Sequence, residues 1–235
     1  MITAAGCGIA LGVAAWPALL LLQAVLLAFL FNLQHECTHK TPFRTDWLNE
    51  VVGFAAGLLI VQPFLWFRYF HLAHHRHTND PRRDPELAEG GKAKTWPQLL
   101  LVLSTLGYWR AKLRVLFANA VDAEPAPYVP VSARPKLVRE ARGMLALYAL
   151  ALGFSLTVSP VLLWVWLIPL ALGLPLLRLY HLAEHGLCPH VDNLFLNTRT
   201  VLTNAPMRFL TWNMPYHAEH HILPTVPFYR LAALH

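Results

Sequence analysis

The chain has 235 residues, of which 56% are hydrophobic and only 14% are charged. A soluble domain carries about 25% charged residues, so this composition excludes an ordinary soluble globular protein. The formal net charge is +6, but the basic residues flank apolar segments without a nucleic-acid-binding motif, so no nucleic acid partner is expected. The cysteines Cys7, Cys37 and Cys188 form no CxxC pair, which argues against a disulfide framework and against a cysteine-only zinc site.

The N-terminal segment, residues 2–34, contains no charged residue and is interrupted by Pro17. Because a helix of about 20 apolar residues crosses a bilayer, the segment predicts one membrane span at about 16–34. The residues before it are expected to form either a short second span or a piece that lies in the interface. The N-terminus lacks the basic region of a cleavable signal peptide, so we interpret its apolar stretch as a membrane anchor.

The next apolar segment, residues 51–66, has histidine clusters on both sides. If these clusters meet at one site, the segment cannot cross the membrane once, and it is too short to cross twice. We therefore predict a helix that dips into the membrane or lies along its interface.

Residues 78–142 are polar and in places rich in proline, and they predict a cap that includes one amphipathic helix near 96–118. All 19 lysines and arginines lie in 40–142 or 178–230. Positive charge concentrates on cytoplasmic loops, so both basic segments are expected on the cytoplasmic side of the membrane.

Residues 143–180 are predominantly apolar and long enough for two crossings, with Ser159 and Pro160 at the expected turn. Taken together, the segments predict an all-α fold in which residues 1–235 form a single domain. This domain is expected to be an integral membrane helical bundle of about four transmembrane helices with a cytoplasmic helical cap.

The 13 histidines are clustered rather than scattered along the chain. Four clusters repeat one spacing; they are His35-Glu-Cys-Thr-His39, His71-Leu-Ala-His74-His75, His181-Leu-Ala-Glu-His185 and His217-Ala-Glu-His220-His221. Residues at i, i+3 and i+4 share one face of a helix, so each cluster directs two or three imidazoles the same way. His77, His190 and His235 fall outside this spacing and are expected at the surface or behind the ligands.

These clustered imidazoles predict a metal site, since neutral imidazole is the commonest side-chain ligand of transition metals. Ten donors are too many for one ion, and they fit two ions with about five nitrogens each. The spacing alone does not distinguish iron from zinc. Carboxylates beside the clusters are candidates to orient the ligands through the second ring nitrogen; they are Glu36, Asp80, Asp84, Glu184 and Glu219.

The segments HECTH, HLAHHRHTNDPRRDPE and NMPYHAEHH resemble the three histidine boxes of the membrane fatty acid desaturase and hydroxylase superfamily. HLAEH is similar to the additional metal-binding site that this family places after its last membrane hairpin. The resemblance extends over about residues 30–230 and implies a helical, mushroom-like fold with a non-haem di-iron centre under a cytoplasmic cap. It also implies a set of iron ligands, namely His35, His39, His71, His74, His75, His185, His217, His220 and His221. In some relatives an asparagine stands at the position of His181 and ligates directly or through water.

By this resemblance the expected reaction is desaturation of a lipid acyl chain, with dioxygen as co-substrate and two iron ions as the cofactor that breaks an unactivated C–H bond. The chain has no GxGxxG fingerprint and no separate haem or flavin domain. Electrons are therefore expected from an external donor such as a ferredoxin or a cytochrome b5-like protein. An acidic donor or anionic lipid headgroups would contact a basic segment; its residues are Lys92, Lys94, Arg110, Lys112 and Arg114.

Two other functions remain open at this point. A hydroxylase of a carotenoid, sphingoid or fatty acyl substrate would use the same scaffold and metals. A zinc-dependent membrane lipid hydrolase would differ in holding zinc and in needing no oxygen.

An aromatic-rich set of residues is expected to line a hydrophobic tunnel for the substrate chain. A belt of rings at the membrane interface is the alternative interpretation. The residues are Phe64, Trp66, Phe67, Tyr69, Phe70, Trp109 and Trp212.

Overall fold

A computed structural model describes residues 1–88, 93, 95–123 and 126–235 of the chain. This described part consists of helices and connecting loops and contains no β-strand, which confirms the all-α prediction. In chain order the α-helices are α1 (Ile2–Ala10), α2 (Trp16–Ala28), α3 (Leu30–His39), α4 (Asp46–Leu59), α5 (Phe64–His77), α6 (Pro85–Ala88), α7 (Trp96–Leu103), α8 (Leu106–Ala120), α9 (Arg134–Thr157), α10 (Ile168–His185), α11 (Leu194–Asn197), α12 (Ala205–Leu210), α13 (His217–Ile222) and α14 (Leu231–Leu234). A π-helical stretch, Leu163–Leu167, leads into α10.

Residues 16–39 form one long helical unit with a single break at Phe29, between α2 and α3. The unit Trp16–His39 is long and apolar enough to cross a membrane, and an 18-residue stretch of it has a mean hydropathy of 2.0. α1 packs against α2 but has only 9 residues. These residues rise about 14 Å, about half of a hydrocarbon core of about 30 Å. A short second span and an interfacial piece therefore both stay predictions for this segment.

The helical structure breaks at Ser159 and Pro160, where the sequence predicted the turn, between α9 and the π-helical start of the next helix. The rings of Tyr148 and Trp166 meet from the two sides of this break, with centroids 5.9 Å apart. Residues Leu163–His185 form a second candidate span, and an 18-residue stretch of it has a mean hydropathy of 1.6. α9 carries charged residues as far as Arg142 and is not among the helices that length and apolarity identify as spans. The described residues thus contain two candidate spans, or three if the bent pair α4–α5 is one. The count of about four stays a prediction.

Between α4 and α5 the chain bends by 100°. The end of a helix leaves backbone carbonyls without intrahelical partners, and away from water such groups must be paired. Side chains from three other parts of the chain provide the donors: Tyr148 Oη to Leu58 O at 2.8 Å, Trp166 Nε1 to Leu59 O at 2.6 Å, and Tyr108 Oη to Ile60 O at 2.8 Å. The bend is therefore a stabilised elbow, consistent with the predicted dipping helix.

The core of the membrane part is the contact between α2 and α10. A Cβ atom added at Gly173 would lie 2.0 Å from the carbonyl oxygen of Ala24, so the two backbones touch. Further along, the ring of Phe31 on α3 meets that of His181 on α10, with centroids 4.5 Å apart. This packing brings together the histidine-bearing ends of α3 and α10.

The amphipathic helix predicted near 96–118 is in fact two helices. α7 ends at Leu103, and Thr105 has a left-handed backbone conformation with a φ of 57° before α8 begins. α8 is amphipathic as expected, because it buries Leu116 and Ala120 against α9. Nothing in the side-chain periodicity reveals the left-handed residue that separates the two helices.

Three of the five basic residues expected to contact a partner lie in the described part of the chain, and one of these three is buried. Lys112 has its Nζ atom 4.7 Å from the centre of the Trp66 ring, a cation–π contact inside the protein. Its assignment to a docking surface is therefore wrong. Arg110 and Arg114 are exposed on α8, whereas Lys92 and Lys94 lie outside the described residues.

Candidate metal centre

The first two histidine boxes lie on the last turns of regular helices. His35 and His39 end α3, and His71, His74 and His75 lie near the end of α5. Because neither helix is interrupted within its box, the i, i+3 and i+4 spacing places the imidazoles on shared faces.

The remaining boxes approach from the other half of the chain. His185 is the last residue of α10, and the short helix α13 consists almost entirely of the fourth box. α13 lies against α5, since the rings of His75 and His221 stack with their centroids 4.1 Å apart. Residues far apart in sequence thus meet at one place.

Nine of the ten box histidines assemble into two groups, and within each group the nitrogens available to bind metal lie within 4.8 Å of one another. The five-histidine group contains His35, His39, His71, His75 and His220. The four-histidine group contains His74, His185, His217 and His221. α5 contributes to both, so the two groups adjoin.

In the four-histidine group, the partners of Nδ1 determine the tautomers. His74 Nδ1 lies 3.0 Å from a carboxylate oxygen of Asp84, and His185 Nδ1 lies 3.0 Å from the backbone oxygen of Asn197. Both partners are acceptors, so each Nδ1 carries a proton and each Nε2 presents a lone pair. The two Nε2 atoms are only 3.2 Å apart. Facing lone pairs at this distance repel each other unless a cation binds both.

Asp84 is held in its ionised form. Burial alone would raise its pKa, but hydrogen bonds from His74 and from backbone amides outweigh burial and lower the pKa of Asp84. The amides are those of Asn79, at 2.7 Å, and Glu86, at 2.9 Å. The carboxylate therefore acts only as an acceptor toward the His74 ring.

A third member of this group is oriented in the same way. Thr78 Oγ1 donates to the backbone oxygen of His74 at 2.9 Å, so its oxygen accepts from His221 Nδ1 at 3.1 Å. His221 Nε2 then faces His217 Nε2 at 3.0 Å. Burial lowers the pKa of both His217 and His221 well below the ordinary range of histidine, which keeps their rings neutral and able to bind metal.

The five-histidine group repeats these separations. Nε2 atoms lie 2.9 Å apart in the pairs His39–His71 and His71–His75, and 3.2 Å apart in the pair His75–His220. Nitrogens bound about 2.1 Å from one ion at right angles to each other lie about 3.0 Å apart. The residues present therefore fit two metal ions, one in each group.

Three of the carboxylates expected behind the ligands lie close to a ring nitrogen. Asp84 forms the hydrogen bond to His74 described above. Glu36 Oε1 lies 3.5 Å from His35 Nδ1, and Glu184 Oε1 lies 3.7 Å from His217 Nδ1. These two distances are longer than a good hydrogen bond, so the orienting role expected of Glu36 and Glu184 stays a prediction.

The other two carboxylates are engaged elsewhere, contrary to expectation. Asp80 accepts a hydrogen bond from Arg83 at 2.6 Å within its own turn. Glu219 accepts one from Thr200 at 2.6 Å and also contacts His235. Each lies beside a box in sequence, but its side chain is satisfied by neighbours outside the boxes.

His181 lies outside both groups, although it precedes His185 by one helical turn. Its Nε2 is buried and has no hydrogen-bond partner among the described residues. The ligand role predicted for it stays a prediction. His190 also lies outside the groups, and its Nδ1 is 3.0 Å from the backbone oxygen of Asn79.

Two residues that orient ligands were missed by the sequence interpretation. Thr78 lies three residues after His75, the last residue of the second box, and its hydroxyl was a signal that could have been used. Asn197 contributes a backbone carbonyl, which no side-chain pattern reveals. Its own amide donates to Thr78 O at 3.0 Å and to Val191 O at 2.8 Å, which fixes the loop that presents this carbonyl.

The aromatic residues of α5 pack into the core. Trp66, Phe67 and Phe70 are buried against residues between Val129 and Leu137. A cleft of about 720 Å³ lies elsewhere, between α7 and the C-terminal half of α10, and none of the residues expected in the tunnel lines it. The expectation of an aromatic tunnel does not match this packing, because these rings fill the space between α5 and the segment 129–137 at the start of α9.

The sequence profile of the fatty acid desaturase family matches residues 12–235. The chain is 25% identical over 249 residues to a fatty acid desaturase of Bacillus subtilis, an alignment that covers 93% of this chain and 66% of that protein. It is 26% identical over 255 residues to a Delta(12)-acyl-lipid-desaturase of Punica granatum, covering 92% and 63%. An sn-1 oleoyl-lipid 12-desaturase of Picosynechococcus sp. is 37% identical over 82 residues, covering 34% and 24%. In each alignment the chain spans less than two thirds of the relative's length.

Proposed function

The chain belongs to the fatty acid desaturase family, and we propose that it inserts a double bond into an acyl chain of a membrane lipid, using dioxygen and two bound iron ions. Two of the relatives are named an sn-1 oleoyl-lipid 12-desaturase and a Delta(12)-acyl-lipid-desaturase, and these names support a lipid-bound acyl chain. The candidate spans Trp16–His39 and Leu163–His185 support a membrane location.

The observation that carries the proposal is the pair of Nε2 lone pairs on His74 and His185, which lie 3.2 Å apart. Their Nδ1 protons are committed to Asp84 and to the Asn197 carbonyl, so a change of tautomer cannot relieve the repulsion without breaking a buried hydrogen bond. One ion would bind in the five-histidine group, with the ligands His35, His39, His71, His75 and His220. The other ion would bind in the four-histidine group, with the ligands His74, His185, His217 and His221. When bound, the iron ions supply the oxidising power that removes hydrogen from an unactivated C–H bond.

The protein's own residues hold and orient these ligands. Asp84, Thr78 and the Asn197 carbonyl fix three Nδ1 protons, so that three Nε2 lone pairs point into the four-histidine group. Burial keeps the imidazoles neutral and limits the access of water, which would otherwise divert the oxidising power to side reactions.

We propose an external electron donor, a ferredoxin or a cytochrome b5-like protein, that docks on the cytoplasmic side. The sequence has no fingerprint of a dinucleotide-binding unit, whose bound cofactor could supply electrons within the same chain. Arg110 and Arg114 are exposed and offer positive charge to an acidic donor. Such attraction weakens with salt, so the rate of reduction by the donor is expected to fall as ionic strength rises.

The test is to measure metal content and lipid products together for the purified protein. His74→Ala is expected to lower iron from about two ions to about one per chain, because it removes a ligand of the four-histidine group, and to abolish double-bond formation. His77→Ala is the matched control, since His77 lies outside both groups. A product that gains oxygen would instead identify a hydroxylase. Tightly bound zinc with oxygen-independent turnover would identify a hydrolase.

A further inference from the structure

The cleft of about 720 Å³ adjoins the four-histidine group. Leu99 of α7 faces Leu179 and Leu182 of α10 across it. Leu182 precedes His185, a member of the group, by one helical turn. Pro81 lines another side, in the loop between α5 and α6. The cleft is therefore bounded by the two segments of chain that carry His74 and His185.

The rim of this cleft is apolar and exposed. Trp96 is 77% exposed, Leu179 is 52% exposed and Leu187 is 92% exposed. Exposed large apolar side chains around a concave site mark an interaction surface. Leu179 lies within the candidate span Leu163–His185, so this part of the rim faces the hydrocarbon region when the helix is in a membrane.

The polarity of the lining changes along α10. Leucines line the part that belongs to the span, whereas Arg199 and His190 line the end beyond it. Arg199 is half-buried; its Nη2 donates to the Gly186 carbonyl and lies 3.4 Å from Cys188 Sγ. A guanidinium has five N–H donors, so donors remain for an oxyanion. Among the described residues that line the cleft there is no carboxylate.

We propose that this cleft binds an anionic phospholipid of the bilayer, with the headgroup phosphate on Arg199 and one acyl chain against Leu99, Leu179 and Leu182. As far as this lipid is the substrate, the proposal rests on the proposed function. The cleft volume lies within the range of about 300–1,000 Å³ that is usual for ligand sites. A phospholipid is favoured over a free fatty acid because the rim is open at Leu179, so the second chain can remain in the bilayer.

The first experiment locates the lipid. The whole protein is placed in phosphatidylcholine nanodiscs that contain a small fraction of phosphatidylglycerol with a photoactivatable diazirine in one acyl chain. After illumination under argon, labelled peptides are mapped by mass spectrometry. Labelling is expected to concentrate on residues 96–103 and 179–187. Leu179→Trp should reduce it about fivefold by filling the cleft, whereas Leu150→Trp, at an exposed leucine of α9, should leave it unchanged.

The second experiment tests the headgroup. Phosphatidylglycerol should label the cleft in preference to a phosphatidylcholine probe with the same chain, and Arg199→Gln should remove the preference. Arg208→Gln is the matched control, because Arg208 is also half-buried and also donates to a backbone carbonyl, that of Thr203. Labelling spread evenly around the protein, an unchanged preference in Arg199→Gln, or stronger labelling of the cleft by a diazirine oleate would overturn the proposal.

The two proposals fail separately, because the labelling is read without turnover. Cleft labelling as expected without double-bond formation in the same nanodiscs would contradict the proposed function and leave the lipid site standing. Double-bond formation without labelling of the cleft would contradict the lipid site alone.

Discussion

At the scale of single residues, the two histidine groups differ in how firmly their rings are held. In the four-histidine group, three of the four Nδ1 atoms are bonded, to Asp84, to Thr78 and to the Asn197 carbonyl, and only that of His217 lacks a hydrogen-bond partner among the described residues. In the five-histidine group, the Nδ1 atoms of His75 and His220 are buried without a hydrogen-bond partner among the described residues. Groups that orient a ligand through its second nitrogen commonly raise metal affinity by about 10- to 100-fold. We therefore expect the four-histidine group to retain its ion longer.

Replacing Asp84 tests this difference. In Asp84→Ala the His74 ring loses the acceptor that fixes its tautomer, so iron affinity at the four-histidine group should fall by about 10- to 100-fold. The measurement is iron remaining per chain during dialysis against a chelator. Asp46→Ala is the control, because Asp46 forms an exposed ion pair with Lys40 and belongs to neither histidine group. Equal iron retention in the two variants would contradict the role given to Asp84.

At the scale of helices, the close approach of α2 and α10 depends on one glycine. In Gly173→Ala the new Cβ would overlap the Ala24 carbonyl oxygen, 2.0 Å away, and the helices must separate at a cost of about 1–3 kcal/mol. Gly153→Ala on α9 meets nothing within 4 Å and should gain up to about 1 kcal/mol from helix propensity. Thermal unfolding in detergent should show Tm lowered by the first change and not by the second. A Tm that is unchanged by Gly173→Ala would show that α2 and α10 are not in backbone contact.

The start of α5 is held by a carboxylate from α9. Glu140 accepts from the Leu65 amide at 3.0 and 3.2 Å, one of the donors that a helix N-terminus leaves unpaired. Burial raises the pKa of Glu140 to about 7, against the lowering effect of the amide hydrogen bonds. Because α5 carries histidines of both groups, this contact connects the elbow to the metal centre.

The raised pKa predicts a pH dependence of stability. A carboxyl with a folded-state pKa above its unfolded value stabilises the protein at low pH, and this contribution is lost as pH rises through the folded value. As the pH rises from about 4.5 to about 7, the Tm of the wild type should therefore fall relative to the Tm of Glu140→Gln. Parallel Tm profiles for the two proteins across this range would contradict the assignment.

The sequence could predict which histidines share a helix face because helical spacing is local. The i, i+3 and i+4 pattern of the second box needs only the regularity of α5 to be correct. The division into two groups was not predictable, since it assigns His74 and His75, adjacent in sequence, to different groups. That division depends on how α13 and α10 approach α5, which is tertiary information.

Other predictions failed because a local pattern has more than one tertiary solution. The rings of Trp66 and Phe70 suit a tunnel or a packed core equally well, and contact with the loop before α9 selects the core. Lys112 belongs to a basic segment, yet aromatic faces bury its ammonium group. Asp80 lies next to a box, yet its own turn supplies the donors.

At the scale of the whole molecule, all the boxes must face one side of the membrane. His190 Nδ1 lies 3.0 Å from the Asn79 carbonyl, so the loops after α5 and α10 share a compartment. In a background without Cys7, Cys37 and Cys188, the variants Asp80→Cys and His190→Cys should both react with an impermeant thiol reagent from the cytoplasmic side. Labelling of the two positions from opposite sides would contradict the arrangement of the spans.

The most direct test of the account is the mass of the acyl product. Purified, iron-loaded protein is supplied with a phospholipid and a reduced ferredoxin, and its products are compared under dioxygen and under argon. The account predicts acyl chains lighter by two hydrogen atoms under dioxygen, none under argon, and none from His74→Ala, because that variant lacks a ligand that the lone-pair geometry assigns to one ion. Product formation under argon, a product heavier by one oxygen atom, or activity in protein that holds zinc instead of iron would contradict it.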